Sequence, residues 1–263
     1  MSILAAIDCA AAGLTLATIY ARNFRKPATP PVQALFIDCD DCLYQNNWAT
    51  AQKITKSIAA YTAKLGVSKD QAYNLYKTYG TCIKGLLVEK RIDAAGAEDF
   101  LHEVHQISYE DIAPDPQLKA VLEAVTIPNM WVFTASTSEH ARRCLDKIGL
   151  AELPWRGVID CRSCKLETKH SRSSFEAAMS LAGVSLDEPG ACVFCDDSVK
   201  NIKAAKEVGW RTVLVGKVDR DTGKEVVCSE ADVHVAGLEE LRAAMPELFW
   251  GPGKGQFGTR ELV

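Results

Sequence analysis

Three aspartates and two cysteines crowd into the segment LFIDCDDCLY, which covers residues 35–44 and begins as an apolar run. Carboxylates repel one another and resist transfer out of water, so such a cluster needs a compensating positive charge. A metal ion bound by Asp38 and Asp40 is one candidate. A metal bound by the Cys-x-x-Cys pair of Cys39 and Cys42 is another. The residue types indicate a site at this point and leave two kinds of ligand set open.

More polar groups follow the ends of other apolar runs. Thr134 and Ser136 come after one such run, and Asp196 and Asp197 come after another. A single lysine, Lys169, precedes a helical segment between these two runs. Ligands of open α/β sheets bind beyond the carboxyl ends of the strands. We therefore expect these groups to meet at one edge of a sheet.

The chemistry available to this set is that of phosphate esters. Carboxylates without histidine partners favour Mg²⁺, which prefers oxygen ligands, and the four are Asp38, Asp40, Asp196 and Asp197. Hydroxyl groups, a lysine and helix N-termini can hold a phosphate. One carboxylate can attack phosphorus to form an aspartyl-phosphate. A second carboxylate two residues later can protonate the leaving oxygen and then activate water.

Six short apolar runs bounded by turn residues predict the strands that position these groups. They cover residues 32–38, 129–134, 157–160, 191–195, 211–216 and, more weakly, 232–236. Runs this apolar are typical of parallel strands that are buried on both faces. Helical patterns at 138–148 and 199–208, with Ser138 and Ser198 as N-caps, alternate with them. The alternation predicts an α/β fold, a Rossmann-like three-layer core around a parallel sheet.

The segment 47–117 breaks this alternation, because it contains no convincing strand pattern. Apolar residues at its start recur at steps of three and four, so they share one helix face. These residues are Ala51, Ile54, Ile58, Tyr61 and Leu65. We expect an all-helical cap domain at 47–117, inserted into a catalytic core made of 32–46 and 118–245. Residues 1–31 are expected to be a leader or linker, and 246–263 a tail.

Composition limits the classes of partner. The 263 residues carry a formal net charge of −4 with a pI near 5.8, so bulk charge does not favour nucleic acid. Ten cysteines without a disulfide framework are typical of reduced thiols in an intracellular protein, and we expect the cytoplasm. Asp8 within the apolar N-terminal segment, and basic residues after it, disfavour a membrane anchor and a signal peptide. A cleaved leader, an extra helix and an organellar targeting segment stay open, as does the disfavoured membrane anchor, and the oligomeric state is unknown.

Zinc is the rival interpretation, because the chain contains three Cys-x-x-Cys pairs. They are Cys39/Cys42, Cys161/Cys164 and Cys192/Cys195. Side chains at i and i+3 of a strand point to opposite faces, so the last pair cannot chelate one ion. The five histidines show no ligand spacing. Cys161 and Cys164 are the best candidates for a zinc site, which we consider the weaker interpretation.

Four segments, in order, resemble the four motifs of the haloacid dehalogenase superfamily: DCDDCLY, FTAS, the lysine before a helix, and CDDSVKN. The helical insert after the first strand is similar to the C1 cap of that superfamily. More narrowly, CLYQ, YGTCIKGLL, FTASTSEHARRCLDKIGL and FCDDSVKNIKAAKEVGW resemble the fungal and plant pyrimidine 5′-nucleotidase branch. The resemblance covers about residues 33–217. It implies a Mg²⁺-dependent phosphomonoesterase for a small phosphate monoester, namely a pyrimidine nucleoside 5′-monophosphate such as UMP or CMP.

The resemblance also implies roles for individual residues. Asp38 is the expected nucleophile, Asp40 the general acid and base, and Lys169 the cation that neutralises the phosphate and orients Asp38. The implied phosphate-binding residues are Thr134, Ala135 through its backbone, Ser136 and Lys169. The implied Mg²⁺ ligands are Asp38, the backbone carbonyl of Asp40, Asp196 and Asp197. Asn201, one helical turn later, is expected to support them.

Three positions depart from the pattern of the branch. Asp41 and Ala135 stand where asparagine is common, and His170 stands where proline is common. No essential group is missing. Sugar phosphates and pyridoxal phosphate remain alternative substrates, and a non-catalytic binding or regulatory protein on the same core remains an alternative function. Dehalogenase chemistry is disfavoured, because it needs no metal and would leave Asp196 and Asp197 without a purpose.

Overall fold

A six-stranded parallel sheet forms the centre of the computed structural model, which describes residues 30–218 and 222–250. The spatial order is β3-β2-β1-β4-β5-β6. The strands are β1 (Ala34–Ile37), β2 (Met130–Phe133), β3 (Trp155–Ile159), β4 (Cys192–Asp196), β5 (Arg211–Val215) and β6 (Val233–Val235). All six predicted strands are present. The strands β2 and β3 lie on one side of β1, and β4, β5 and β6 lie on the other, so the direction of the strand order reverses at β1. Such sheets bind ligands at the point of reversal.

The central strands are buried on both faces, which explains their uninterrupted apolar sequences. In β1, Leu35 and Ile37 pack into one hydrophobic cluster, and Ala34 and Phe36 pack into a second cluster on the opposite face. Burying each large apolar side chain contributes about 1.5–3 kcal/mol. The sheet is thus the middle of three layers, as the α/β prediction requires.

Four helices follow β1 and share a third hydrophobic cluster. They are α1 (Ala49–Lys64), α2 (Lys69–Tyr79), α3 (Cys82–Val88) and α4 (Ala94–Val104). Tyr61 of α1 meets Phe100 of α4 edge to face, with ring centroids 5.1 Å apart. Ser68 and Gln71 form a capping box that begins α2. This part of the chain contains no strand between 47 and 117, although Tyr109 and Ile112 pack with the sheet core. The boundaries of a separate cap domain stay a prediction.

The remaining helices pack on the sheet. They are α5 (Pro116–Glu123), α6 (Ser138–Ile148), α7 (Arg172–Leu181), α8 (Val199–Val208) and the short α9 (Leu241–Ala244). The predicted N-cap of α6 was wrong: Thr137 caps the helix by accepting from the His140 N–H, and the Ser138 hydroxyl instead donates to Asp160 at 2.6 Å. Ser198 is the N-cap of α8 as predicted, although its side chain makes no capping bond.

The ends of the chain are described only in part. The predicted leader lies outside the described residues up to position 29. Of the predicted tail, the part from 246 to 250 is described, and Leu248 is buried in the sheet core, where its carbonyl accepts from the Thr126 N–H at 2.8 Å. Among the described helices, none combines the length and apolar character needed to span a bilayer.

Candidate active site

Asp38 lies at the carboxyl edge of the sheet, directly after β1. Its N–H donates to the carbonyl of Cys195 at 2.9 Å, which continues the pairing of β1 with β4. Asp196 is the last residue of β4, so parallel pairing places both aspartates at the same edge. Both are buried. Strand register therefore brings together two carboxylates that are far apart in the sequence.

Lys169 joins these two carboxylates. Its Nζ lies 2.6 Å from Asp38 Oδ1 and 2.7 Å from Asp196 Oδ2, and it donates to the carbonyl of Phe133 at 3.2 Å. Only 4% of the residue is exposed. Burial alone would lower the pKa of Lys169, but Asp196 and Asp38 outweigh that effect and hold the pKa above its ordinary value. The lysine is therefore a buried ammonium ion with three acceptors.

Asp197 adds a third carboxylate. Asp38, Asp196 and Asp197 each offer an oxygen within 4.8 Å of the others. Burial raises the pKa of Asp38 to about 8 against the pull of Lys169, and burial followed by the charge of Asp196 raises that of Asp197 well above its usual range. One lysine thus does not neutralise the three carboxylates. Oxygen donors and a surplus of negative charge fit a hard divalent cation such as Mg²⁺.

Hydrogen bonds fix the position of Asp196. The Asn201 amide donates to both of its oxygens, at 2.9 and 3.1 Å, and the Ser198 N–H donates to Oδ1 at 2.8 Å. Asn201 lies in the first turn of α8. The expectation that Asn201 supports the acidic cluster agrees with this geometry.

Asp40 faces a different set of partners. Its Oδ1 lies 2.6 Å from the hydroxyl of Tyr44 and 2.7 Å from Nε2 of His140, and its Oδ2 accepts from the Ser136 hydroxyl at 3.2 Å. Burial would raise the pKa of Asp40, but His140 outweighs it and lowers the pKa below its usual range. Likewise burial would lower the pKa of His140, but Asp40 raises it to about 12. The two side chains form an ion pair. The expected metal contact of Asp40, through its backbone carbonyl, stays a prediction.

His140 is the residue at this site that the sequence pattern did not indicate. It lies in the first turn of α6, its imidazole is buried, and its Nδ1 is 2.9 Å from the hydroxyl of Tyr109. Tyr109 is 31 residues from His140 in the sequence and Asp40 is 100 residues away, so no local pattern would reveal these contacts. The Thr137 N-cap, three residues earlier, is the one local signal, and it fixes only where the helix begins.

The loop after β2 presents the predicted phosphate-binding residues. Thr134 is buried and its Oγ1 accepts from the N–H of Ser136 at 3.0 Å, while Ala135 is exposed. Because the Ser136 hydroxyl also donates to Asp40, this loop lies beside the Asp38–Asp40 pair.

Two of the positions that depart from the pattern of the nucleotidase branch lie near this site. Asp41 is buried with a φ of 58°, and its charge adds to the raised pKa of Asp197. Burial lowers the pKa of His170.

The Cys-x-x-Cys pairs do not form a common ligand set among the described residues. Cys192 and Cys195 belong to opposite faces of the sheet, as predicted, and Cys161 and Cys164 belong to different hydrophobic clusters. The Cys42 thiol donates to the carbonyl of Cys195 at 3.6 Å. Cys39 instead lies beside Cys144 of α6, a pairing that no sequence spacing indicated.

Comparison with known proteins shows which family and which relatives this chain resembles. Residues 32–209 match the model of the haloacid dehalogenase-like hydrolase family. The chain is 26% identical over 205 residues to Phosphate metabolism protein 8 of Saccharomyces cerevisiae. That match covers 70% of this chain and 62% of the yeast protein, so this chain spans less than two thirds of its relative.

Two solved structures share the fold. CbbY of Rhodobacter sphaeroides, in complex with xylulose-1,5-bisphosphate, has a TM-score of 0.58 at 17% identity, covering 83% of this chain and 100% of that one. The β-phosphoglucomutase of Clostridium difficile has a TM-score of 0.54 at 18% identity, covering 80% and 93%. At these identities the likeness shows the fold alone. Because the family match covers more than half of the sequence, the chain belongs to the haloacid dehalogenase-like hydrolases.

Proposed function

We propose that this hydrolase is a Mg²⁺-dependent phosphomonoesterase in which Asp38 becomes an aspartyl-phosphate, and that it acts on pyrimidine nucleoside 5′-monophosphates. The observation that carries the mechanism is the contact of Lys169 with Asp38 and Asp196 at 2.6 and 2.7 Å. Lys169 holds Oδ1 of Asp38, so Oδ2 is left as the attacking atom. Attack forms the Oδ2–P bond and breaks the bond between phosphorus and the leaving oxygen.

Asp38, Asp196 and Asp197 would hold the Mg²⁺, since their oxygens lie within 4.8 Å of one another. When bound, the ion supplies the positive charge that offsets repulsion between the carboxylates and the phosphate dianion. Lys169 contributes a second positive charge at the nucleophile. The surplus of negative charge described above is the feature of this chain that supports a cation here.

Asp40 would pass to the leaving oxygen the proton that His140 holds at Nε2, 2.7 Å from Asp40 Oδ1. It would later take a proton from the attacking water and return it to His140, which restores the ion pair that lowers the pKa of Asp40. Thr134 would bind the phosphoryl group: its oxygen already accepts from the Ser136 N–H, so its own O–H is free to donate. The backbone at Ala135 and the Ser136 hydroxyl complete the proposed phosphate site.

A cavity of about 530 Å³ beside Asp197 supports a substrate with a sizeable leaving group. Its lining includes Asp41, Trp48 and Lys217. An aromatic ring stacks on a nucleobase with about 1–3 kcal/mol per base, and Trp48 offers such a ring. The narrower choice of UMP or CMP rests on the sequence resemblance to the pyrimidine 5′-nucleotidase branch.

The test is phosphate release from a panel that includes UMP, CMP, purine nucleotides, sugar phosphates and pyridoxal phosphate, with Mg²⁺ or with EDTA. We expect Mg²⁺-dependent turnover that is lost in Asp38→Asn, with UMP or CMP preferred. Turnover that survives in Asp38→Asn would mean that the nucleophile is wrong. A folded protein that binds Mg²⁺ but hydrolyses nothing would support the non-catalytic alternative.

The nucleobase contact has its own variant. Trp48→Ala should raise KM for UMP and leave KM for glycerol phosphate unchanged, because only UMP carries a base. The matched control is Tyr73→Ala, since Tyr73 is an aromatic residue of α2 that is 49% exposed. Equal effects on both substrates would contradict a base-stacking role for Trp48.

A further inference from the structure

Three potential metal ligands, Cys39, Asp40 and Cys144, lie close together apart from the three-carboxylate cluster, and His140 lies beside two of them. Cys39, Asp40 and Cys144 each offer a ligand atom within 4.8 Å of the others. His140 Nε2 lies 2.7 Å from Asp40 Oδ1 and 3.5 Å from Cys144 Sγ. The Cys39 and Cys144 sulfur atoms lie within 4.8 Å of each other, and Cys39, Cys144 and His140 are almost entirely buried. These groups come from the β1 edge and from two successive turns of α6.

The donor types are those of a tetrahedral zinc site. Zinc takes thiolate sulfur at about 2.3 Å, imidazole nitrogen at about 2.0–2.1 Å and carboxylate oxygen at about 2.0–2.2 Å. A tetrahedron with these bond lengths places neighbouring ligand atoms about 3.3–3.8 Å apart. The 3.5 Å between Cys144 Sγ and His140 Nε2 falls within that range, and the 2.7 Å between His140 Nε2 and Asp40 Oδ1 is shorter. Coordination would therefore require Asp40 and His140 to move apart.

We propose that Cys39, Asp40, His140 and Cys144 bind Zn²⁺ as a second metal site, distinct from the Asp38–Asp196–Asp197 cluster. Two thiolates select a soft cation, and Mg²⁺ avoids them. The two sites therefore differ in the metal that they prefer, although Asp38 of one site and Cys39 of the other are adjacent in the chain. Binding releases the thiol protons and the Nε2 proton to solvent.

The outer hydrogen bonds suit this coordination. Metal-bound histidines almost always donate their other ring N–H to an acceptor. The Tyr109 hydroxyl donates to the carbonyl of His105 at 3.3 Å, so its oxygen accepts from His140 Nδ1–H at 2.9 Å. The proton is thereby kept on Nδ1, which leaves Nε2 as the coordinating nitrogen. Tyr44 likewise donates to the carboxylate of Asp40.

A cavity beside α6 reaches one of the four residues, His140. This cavity of about 190 Å³ is lined by His105, Thr137 and His140, among others. The carboxylate of Asp40, whose side chain is 25% exposed, offers a second approach from the catalytic edge. Neither route requires the core strands to separate.

Zinc at this site would inhibit the proposed phosphatase, a consequence that rests on the proposed function. The ion would occupy the Asp40 carboxylate and replace the Nε2 proton of His140, so the leaving group would lose its acid. The three carboxylates of the Mg²⁺ site would be unaffected. Inhibition would therefore persist at saturating Mg²⁺ and be relieved by a chelator selective for zinc.

The binding test does not depend on activity. Metal-free full-length protein, reduced with a phosphine, is titrated with Co²⁺ in excess Mg²⁺, which occupies the carboxylate site. We expect thiolate-to-cobalt charge-transfer absorption that saturates at one equivalent and is abolished by Zn²⁺. Cys144→Ala should lose most of this absorption and bind Zn²⁺ at least about 10-fold more weakly, and Tyr109→Phe should weaken Zn²⁺ binding about 10-fold.

Cys82→Ser and Cys161→Ser are the controls, because both residues are buried thiols outside the cluster. Both should retain the full cobalt spectrum. If the wild type shows no thiolate absorption, or if Cys161→Ser rather than Cys144→Ala removes it, the proposal is overturned. A wild type without thiolate absorption overturns the proposal by itself, so the proposal stays falsifiable even if a variant does not fold. A protein with the cobalt spectrum but no phosphatase activity would retain the zinc site and refute only the proposed function.

Discussion

Oδ1 of Asp40 lies 2.7 Å from Nε2 of His140, although the two residues are 100 positions apart in the chain. The imidazole is fully buried and the carboxylate is 25% exposed. An ion pair at this depth holds the carboxylate in one orientation, towards the edge where Asp38 lies. It also sets where a proton resides, because each partner shifts the pKa of the other.

Replacing His140 should impair catalysis more than substrate binding. In His140→Asn, we expect kcat to fall about 10²-fold, the order associated with general acid–base catalysis, with a smaller change in KM. Removing the imidazolium raises the pKa of Asp40, so the limb of the pH–rate profile that Asp40 governs should move to higher pH. Steady-state kinetics across pH measures both effects.

Two comparisons sharpen that experiment. Tyr44→Phe removes one hydrogen bond to Asp40 but keeps the ion pair, so its effect should be smaller. His234→Asn replaces an exposed histidine and should change neither parameter. A pH profile that does not move in His140→Asn would refute the link between His140 and Asp40 in turnover.

Lys169 should stabilise the fold as well as the nucleophile. Lys169→Met leaves two buried carboxylates without their cation, and breaking a buried pair in this way costs about 3–5 kcal/mol. We expect the metal-free variant to lose free energy of unfolding of that order, with part of the loss recovered when Mg²⁺ is added. Urea denaturation with and without Mg²⁺ measures both terms.

Lys200→Met is the matched control, because Lys200 is an exposed lysine at the start of α8. It should unfold like the wild type. Lys169→Arg retains the positive charge, so its free energy of unfolding should lie between those of Lys169→Met and Lys200→Met. Full stability in Lys169→Met without metal would show that the ion pairs contribute little to the fold.

Asp197 should govern Mg²⁺ affinity. A ligand that binds only the folded state raises stability by RT ln(1 + [L]/Kd). Asp197→Asn removes one negative oxygen donor from the cluster, so the Mg²⁺-induced rise in Tm should largely disappear. Asp187→Asn, at an exposed position, should keep the full rise. Thermal melts over a Mg²⁺ titration decide this, and an unchanged Kd would remove Asp197 from the ligand set.

His105 should make the protein sensitive to acid. Burial lowers its pKa to about 4, whereas the unfolded chain has the ordinary value of about 6.5. Between those values the unfolded state binds a proton that the folded state does not, so stability falls as the pH falls. The slope is at most about 1.4 kcal/mol per pH unit, and the contribution vanishes above pH of about 6.5.

His105→Asn should flatten this dependence, because asparagine does not titrate and its amide can still donate to the Leu101 carbonyl that His105 Nδ1 contacts at 2.7 Å. His102→Asn, at an exposed position of α4, should leave the slope unchanged. Urea denaturation of the three proteins from pH 7.5 to pH 4.5 provides the comparison. Parallel curves for His105→Asn and the wild type would rule out His105 as the titrating group.

Much of the core could be predicted from local sequence. Strands buried on both faces must be continuously apolar, so the central strands were visible as short runs. The edge strands β3 and β6 contain exposed Arg156 and His234, and they were visible as shorter or weaker runs. The polar residues that follow them, among them Asp38, Thr134 and Asp196, were visible because ligand sites of parallel sheets collect at carboxyl ends. The acidic cluster and its lysine were therefore predictable as a set. The N-cap of α6 was misplaced by one residue, because Thr137 and Ser138 are equally suitable caps by type.

The sequence by itself thus determined the sheet, its helices and the chemical type of the catalytic edge, because these follow from periodicity and from residue types next to strand ends. Only the tertiary structure decided which distant side chains meet. The packing of α6 against the β1 loop brings His140 to Asp40 and Cys144 to Cys39, and the packing of Tyr109 fixes the His140 ring. Such contacts arise from the docking of separate elements, for which no local periodicity carries a signal.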